Sequence, residues 1–240
     1  MPSSELPAAA PSAPATVVAA SMPRSLDAGA WSRLLACMRV WFWLKAVGTA
    51  AFMWLFFVGY FHLLRHPTQP PIVMPLTVLD RWIGFQSWAL WPYVSLWVYV
   101  AVPPALMPSL RTLIRYGWWI GALCVAGLAC FYLWPTAVPR QALAVAGTFE
   151  VLRGVDAAGN ACPSLHVAAA TFSALWIERL LRDLGVPNAS RWLNAAWYLL
   201  IVWSTLATKQ HVWWDVVAGL ILAIVVGWLS LRGWSAARGR

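Results

Sequence analysis

The chain has 240 residues, of which 61% are hydrophobic and 10% charged, with a formal net charge of +9. Soluble domains carry about 25% charged residues, so a soluble fold of this length could not hide so much apolar surface, and the bilayer is the solvent that suits it. The basic residues are mostly Arg scattered between apolar runs, which argues against nucleic acid and fits loops held on the cytoplasmic side of a membrane.

Residues 1–30 are rich in Ala, Pro and Ser and show no periodic apolar pattern. They read as a disordered tail, and not as a signal peptide, which needs a basic region followed by an apolar core. Residues 31–240 read as one membrane-embedded domain. Six apolar runs follow one another, at roughly 41–61, 87–107, 113–134, 164–182, 192–208 and 212–231. Each approaches the 20 or so residues that cross a hydrocarbon core of about 30 Å. No strand-like alternation appears, so the expected fold is all-α, a polytopic membrane helix bundle with about six transmembrane helices. Pro92, Pro103 and Pro104 should kink or shorten the second run. The shorter segment 73–86 carries Asp80 and Arg81 and reads as an interfacial piece or a re-entrant helix. Lys45, early in the first run, is placed to snorkel to the surface.

Loop charge sets the expected orientation. With a cytoplasmic N-terminus, the cytoplasmic pieces hold Arg24, Arg33, Arg39, Arg111, Arg115, Arg179, Arg182, Arg191, Arg232, Arg238 and Arg240. The opposite side holds Arg65, Arg81, Arg140, Arg153 and Lys209, five against eleven. The expected location is the cell (inner) membrane, with the connection 135–163 facing the periplasm or exterior. That connection is nearly thirty residues long, and loops of such length are usually functional or disordered. The Asn188-Ala189-Ser190 sequon falls on the cytoplasmic side and reads as chance.

The candidate chemistry lies at the outer ends of two helices. His166 opens the fourth run, His211 opens the sixth, and Asp215 follows four residues later, a spacing that puts His211 and Asp215 on one helix face. A carboxylate beside an imidazole fixes its tautomer and stabilises its charged form, which a nucleophilic histidine needs. The same spacing also serves a structural hydrogen bond. Ser164 stands where a helix begins and suits an N-cap. Its backbone N–H groups and the helix dipole make an anion site beside His166, although a plain cap with an interfacial histidine has the same signature. Arg140, after two stiffening prolines, offers a planar fork suited to phosphate oxygens. Lys209, one of two lysines, stands two residues before His211. Either cation alone reads as an ordinary interfacial charge; the convergence of all six residues at one level is harder to dismiss. Cys37, Cys124, Cys130 and Cys162 show neither a metal motif nor a disulfide framework. Three read as small buried hydrophobes, and Cys162 is set apart only by its place beside the Pro-Ser-Leu-His run.

Pro163-Ser164-Leu165-His166 and Ser204-Thr205-(five residues)-His211-Val212-Trp213-Trp214-Asp215 resemble the second and third signatures, PSGH and SRxxxxxHxxxD, of the type 2 phosphatidic acid phosphatase superfamily. The resemblance covers about residues 110–231. It implies His211 as nucleophile, Asp215 as its partner, His166 as general acid and Ser164 as a phosphate ligand. The family's first signature, KxxxxxxRP, is poorly kept: Arg140 matches its Arg, but Leu133 stands at the Lys and Gln141 at the Pro. Thr205 replaces the Arg of the third signature and Leu165 the Gly of the second. Lys209 is a candidate for supplying one of the two absent cations. The Pro-Thr-Ala-x-Pro-Arg and Pro-Ser-Leu-His forms look more like the inositol phosphorylceramide synthase branch, which transfers a phosphorylated head group between lipids.

The expected activity is hydrolysis of a lipid phosphate monoester or diphosphate through a phosphohistidine, with head-group transfer as the alternative. No cofactor and no metal are expected. His166, His211 and Asp215 could ligate zinc, but Arg140 and Lys209 nearby would repel a cation while favouring phosphate. A transporter or channel would spread its ionisable groups through the bilayer, whereas these gather near one face. The family's soluble vanadate-using haloperoxidases share the site, but the membrane character of this chain argues against that use. The expected partners are a lipid phosphate substrate and membrane lipids; the sequence does not indicate which lipid, or the oligomeric state.

Overall fold

A computed structural model describes residues 29–139 and 159–232. Arg140 and all but the last two residues of the tail expected over 1–30 lie outside them. The fold is all-α, as expected. Helix α1 (Ala30–Arg39) is amphipathic. Ala30, Leu34 and Cys37, one helical stripe at i, i+4 and i+7, pack into the bundle, while Trp31, Leu35 and Met38 are exposed. Trp41, in the left-handed region at φ 57°, breaks α1 from α2 (Phe42–Arg65). The outward face of α2 carries Trp43, Val47, Trp54, Leu55 and Val58, all exposed, a surface that lipid and not water must cover.

After α2 the chain forms the short strand β1 (Ile72–Val73) and helix α3 (Val78–Trp82). The second apolar run is not one helix. It is a 3₁₀ turn at Ser87–Ala89, then α4 (Leu90–Val94), α5 (Leu96–Tyr99) and α6 (Val102–Leu106). Pro103 and Pro104 lack the N–H groups that would bond the carbonyls of Tyr99 and Val100, so the helix stops there and restarts with the prolines in its first turn. Four longer elements complete the chain: α7 (Leu110–Leu133), α8 (Leu165–Asp183), α9 (Asn188–Ala207) and α10 (Trp213–Arg232). Strand β2 (Thr136–Ala137) follows α7 and pairs in parallel with β1.

Helix α8 is the axis of the bundle, touching α5, α6, α7, α9 and α10. Its buried face, with Phe172 and Trp176, meets Tyr116 of α7. Close approach to its neighbours depends on glycine. An added Cβ would lie 2.3 Å from Leu165 at Gly127, and 2.6 Å from Leu175 at Gly227. Backbones can approach this closely only where side chains are small.

Among the described residues, α2, α7 and α10 are long and apolar enough to cross a membrane. The other expected spans differ for visible reasons. The second is broken into pieces. Helix α8 is largely wrapped by protein, so its sequence tolerates polar residues such as Ser173 and Thr171. Helix α9 carries Arg191 in its first turn. Lys45 does not snorkel: it is buried, and its ammonium donates to the carbonyls of Cys37 (2.6 Å), Ala105 (3.1 Å) and Met107 (2.8 Å). It thereby ties the C-terminal ends of α1 and α6 together, an electrostatically favourable place for a cation. Nearby on that same end, Arg33 donates to the Leu184 carbonyl and Arg115 to that of Ser230.

Candidate active site

The opposite end of the bundle gathers the expected chemistry. Ser164 is the N-cap of α8, its Oγ accepting from the Val167 N–H at 3.2 Å. The Ser164 N–H in turn donates to the Asp215 carbonyl at 2.9 Å. This bond joins the start of α8 directly to the first turn of α10. Gly219 makes the approach possible, since a Cβ there would stand 2.4 Å from the Ser164 carbonyl oxygen.

His166 lies in the first turn of α8. Its ring stacks on Tyr93 of α4, with centroids 4.1 Å apart and planes at 14°, and meets the edge of Trp97 at 6.1 Å. A hydrogen bond to the Tyr93 backbone holds the ring, and Nε2 is buried without a partner. Tyr93 and Trp97 lie on the broken second run, so its kinks place aromatic rings around this histidine.

His211 does not sit on a helix face with Asp215. It precedes α10 by two residues, in a turn where Lys209 takes φ 59°. The pair is made by a helix cap instead. Asp215 is the third residue of α10, and its Oδ2 accepts from the Val212 N–H at 3.0 Å, the carboxylate half of a capping box. The same Oδ2 lies 3.5 Å from His211 Nδ1. That distance is long for a hydrogen bond but effective for stabilising charge on the ring. Asp215 is wholly buried and His211 retains 12% exposure, so the carboxylate is shielded while the ring lines the cleft.

Lys209 stands beside His211 in a small cleft also lined by Asp80, Val138 and Pro139. Its ammonium is occupied: it donates to the Asp80 carbonyl at 2.6 Å and to the Ile83 carbonyl. Burial holds its pKa below the usual lysine range, with nearby Asp80 opposing. Arg140, the next residue after Pro139, lies outside the described residues. The Cys162 thiol is pushed up to about 11 by burial, with Asp215 adding to the effect. It therefore stays protonated at neutral pH.

Asp80 is the residue that sequence reasoning underrated. Its Oδ2 accepts from the Thr77 N–H and hydroxyl, both at 2.7 Å, while its Oδ1 accepts from the Trp213 N–H at 2.8 Å. It thus caps α3 and α10 at once and, with Lys209, clamps the 77–86 segment onto the loop carrying His211. The capping box Thr77-Val78-Leu79-Asp80 is legible as a motif; the second helix it serves is not. Asp80→Ala is expected to lower kcat further than Asp80→Asn, which keeps an acceptor for Trp213, because a charge-assisted bond is worth about 1.5–3 kcal/mol. Wild-type rates in both variants would remove Asp80 from the support of the site.

His166 and His211 share one apolar cleft of about 480 Å³. It passes Tyr93, Trp97, Phe57 and Phe61 and continues down α2 and α7 to Leu44, Lys45 and Leu113. No group of three or more His, Cys, Asp or Glu side chains that could hold a metal ion occurs among the described residues.

Fold and site together describe a helical membrane protein with two histidines and a buried carboxylate at the end of an apolar cleft. The chain matches the PAP2 superfamily over residues 78–229, well over half its length, and belongs to that superfamily. Membership supports a phosphatase-type function and a phosphatase-like enzyme. No curated protein and no solved structure matches the chain.

Proposed function

We propose that the protein hydrolyses a lipid phosphate monoester or diphosphate through a phosphohistidine on His211. One observation carries this reading: His211, paired with buried Asp215, and His166, with a free Nε2, meet at the end of a cleft lined almost entirely by apolar side chains. A phosphate at the histidines with a hydrocarbon body in the cleft suits that division.

In the first step the His211 Nε2 lone pair forms a bond to phosphorus and the ester P–O bond breaks. The leaving alkoxide takes the proton of His166, while Asp215 stabilises the positive ring of the phosphohistidine. In the second step water attacks phosphorus, the P–N bond breaks, and His166 takes back a proton. Ser164, Arg140 and Lys209 are the proposed phosphate ligands. The N-cap position of Ser164 supports its role. Lys209 serves in this reading through its charge beside His211, since its donors already hold two carbonyls. The motif forms of residues 135–140 and 163–166 favour one second reading, transfer of the phosphoryl head group to a lipid alcohol in place of water. Purified protein given long-chain alkyl phosphates should release inorganic phosphate, and added lipid alcohols should divert the product only if transfer operates. No turnover of any phosphate ester, with or without alcohol, would sink both readings.

The site is proposed to face the periplasm or exterior of the cell membrane, with the N-terminus cytoplasmic. The charge bias of the loops supports this. With the native cysteines replaced, a cysteine at Gln69, on the site's end, should be labelled by an impermeant maleimide in intact cells, and one at Ala189 should not. The reverse pattern would invert the orientation.

A further inference from the structure

The cleft runs well past the histidines. Phe57 of α2 rests on Trp97 at 5.1 Å, and Trp97 on His166, so the level of the chemistry meets α2 near Phe57. From Phe57 to Lys45 the cleft follows twelve residues of helix, about 18 Å at 1.5 Å per residue. Lys45 stands at the far end with its ammonium already donating to three carbonyls. Lys45 is thus engaged with backbone and is not poised for an anionic ligand.

Two glycines line this far half, Gly48 on α2 and Gly117 on α7. Six residues separate Gly48 from the start of α2 and seven separate Gly117 from the start of α7, so both stand about 10 Å inside the same end. A Cβ at either position would meet nothing within 4 Å. Their small size is thus not demanded by helix packing, unlike that of Gly127, Gly219 and Gly227. Glycine is a poorer helix former than alanine, so neither packing nor helix propensity explains its presence at these two positions.

We propose that Gly48 and Gly117 keep the far half of the cleft open for one long hydrocarbon chain of the phosphorylated substrate, and so set the chain length the enzyme prefers. The inference rests on the lipid-phosphate reading above. A larger side chain at either position would collide with the distal carbons and leave the phosphate end untouched.

The test compares wild type, Gly48→Leu and Gly117→Leu on decyl and hexadecyl phosphate in one detergent. Each excluded methylene forfeits about 0.8 kcal/mol. Both variants should therefore lower kcat/KM for the hexadecyl ester by about tenfold or more, with the decyl ester within about twofold of wild type. An unchanged chain-length ratio in both variants, or equal loss of both esters in both, would overturn the chain path while wild-type turnover still upheld the lipid-phosphate reading. Failure of wild type to turn over either ester would instead overturn that reading, and the inference with it.

Discussion

His211→Ala is expected to release no product from any substrate and to acquire no covalent phosphate, whereas His166→Ala should become labelled and stall. The asymmetry follows from what each ring touches. His211 is the ring with a buried carboxylate 3.5 Å from Nδ1, which leaves Nε2 as the nucleophilic nitrogen and stabilises the charge that phosphorylation creates. Removing it removes the only proposed route to a P–N bond. His166 is held by stacking on Tyr93 with a free Nε2, a placement suited to moving a proton. General acid–base assistance is worth about 10²–10⁴-fold and matters least when the leaving group is already good. On para-nitrophenyl phosphate, His166→Ala should therefore give a burst of nitrophenol followed by slow turnover, with acid-labile, base-stable phosphate on the protein. Label on His211→Ala and none on His166→Ala would exchange the two roles.

Gly219→Ala is expected to cost about 10²-fold in kcat although residue 219 touches no substrate, because a misplacement of about 1 Å in a catalytic group has that effect. The added Cβ would stand 2.4 Å from the Ser164 carbonyl oxygen, and backbone cannot rotate aside as a side chain can. Relief requires α8 and α10 to separate, which lengthens the Ser164 N–H bond to the Asp215 carbonyl and moves Ser164 and His166 away from His211 and Asp215. Gly121→Ala is the matched control: the same methyl group there meets only the Phe52 ring, at an ordinary 3.9 Å, and should leave kcat near wild type. Assaying both on a short alkyl phosphate, with helicity checked by circular dichroism, separates misalignment from unfolding. Equal activity of the two variants would show that the close crossing of α8 and α10 does not govern the site.

Much of this protein was determined by local sequence. The scarcity of charge and the long apolar runs required helices in a nonpolar solvent, and the all-α fold follows because only internally bonded backbone survives there. Family membership was legible because Pro163–His166 and Ser204–Asp215 are short, contiguous strings. The N-cap at Ser164 was legible for the same reason, since a cap depends on neighbouring residues alone. Contacts between distant segments were decided only by tertiary structure. The second run was expected to kink, but the four pieces it became, and their aromatic rings around His166, depend on packing against α8. Lys45 was placed at the surface by its sequence neighbours. It is buried because carbonyls sixty residues away converge on it. Helix α8 could bury polar residues because protein, and not lipid, surrounds it. The His211–Asp215 pair was foreseen as a helical face and is built by a cap, since the helix begins at Trp213, two residues after His211. Asp80 stands 133 residues from the N–H of Trp213 that it caps. No periodicity or motif reaches across that distance, and only the folded chain brings the two groups within bonding range.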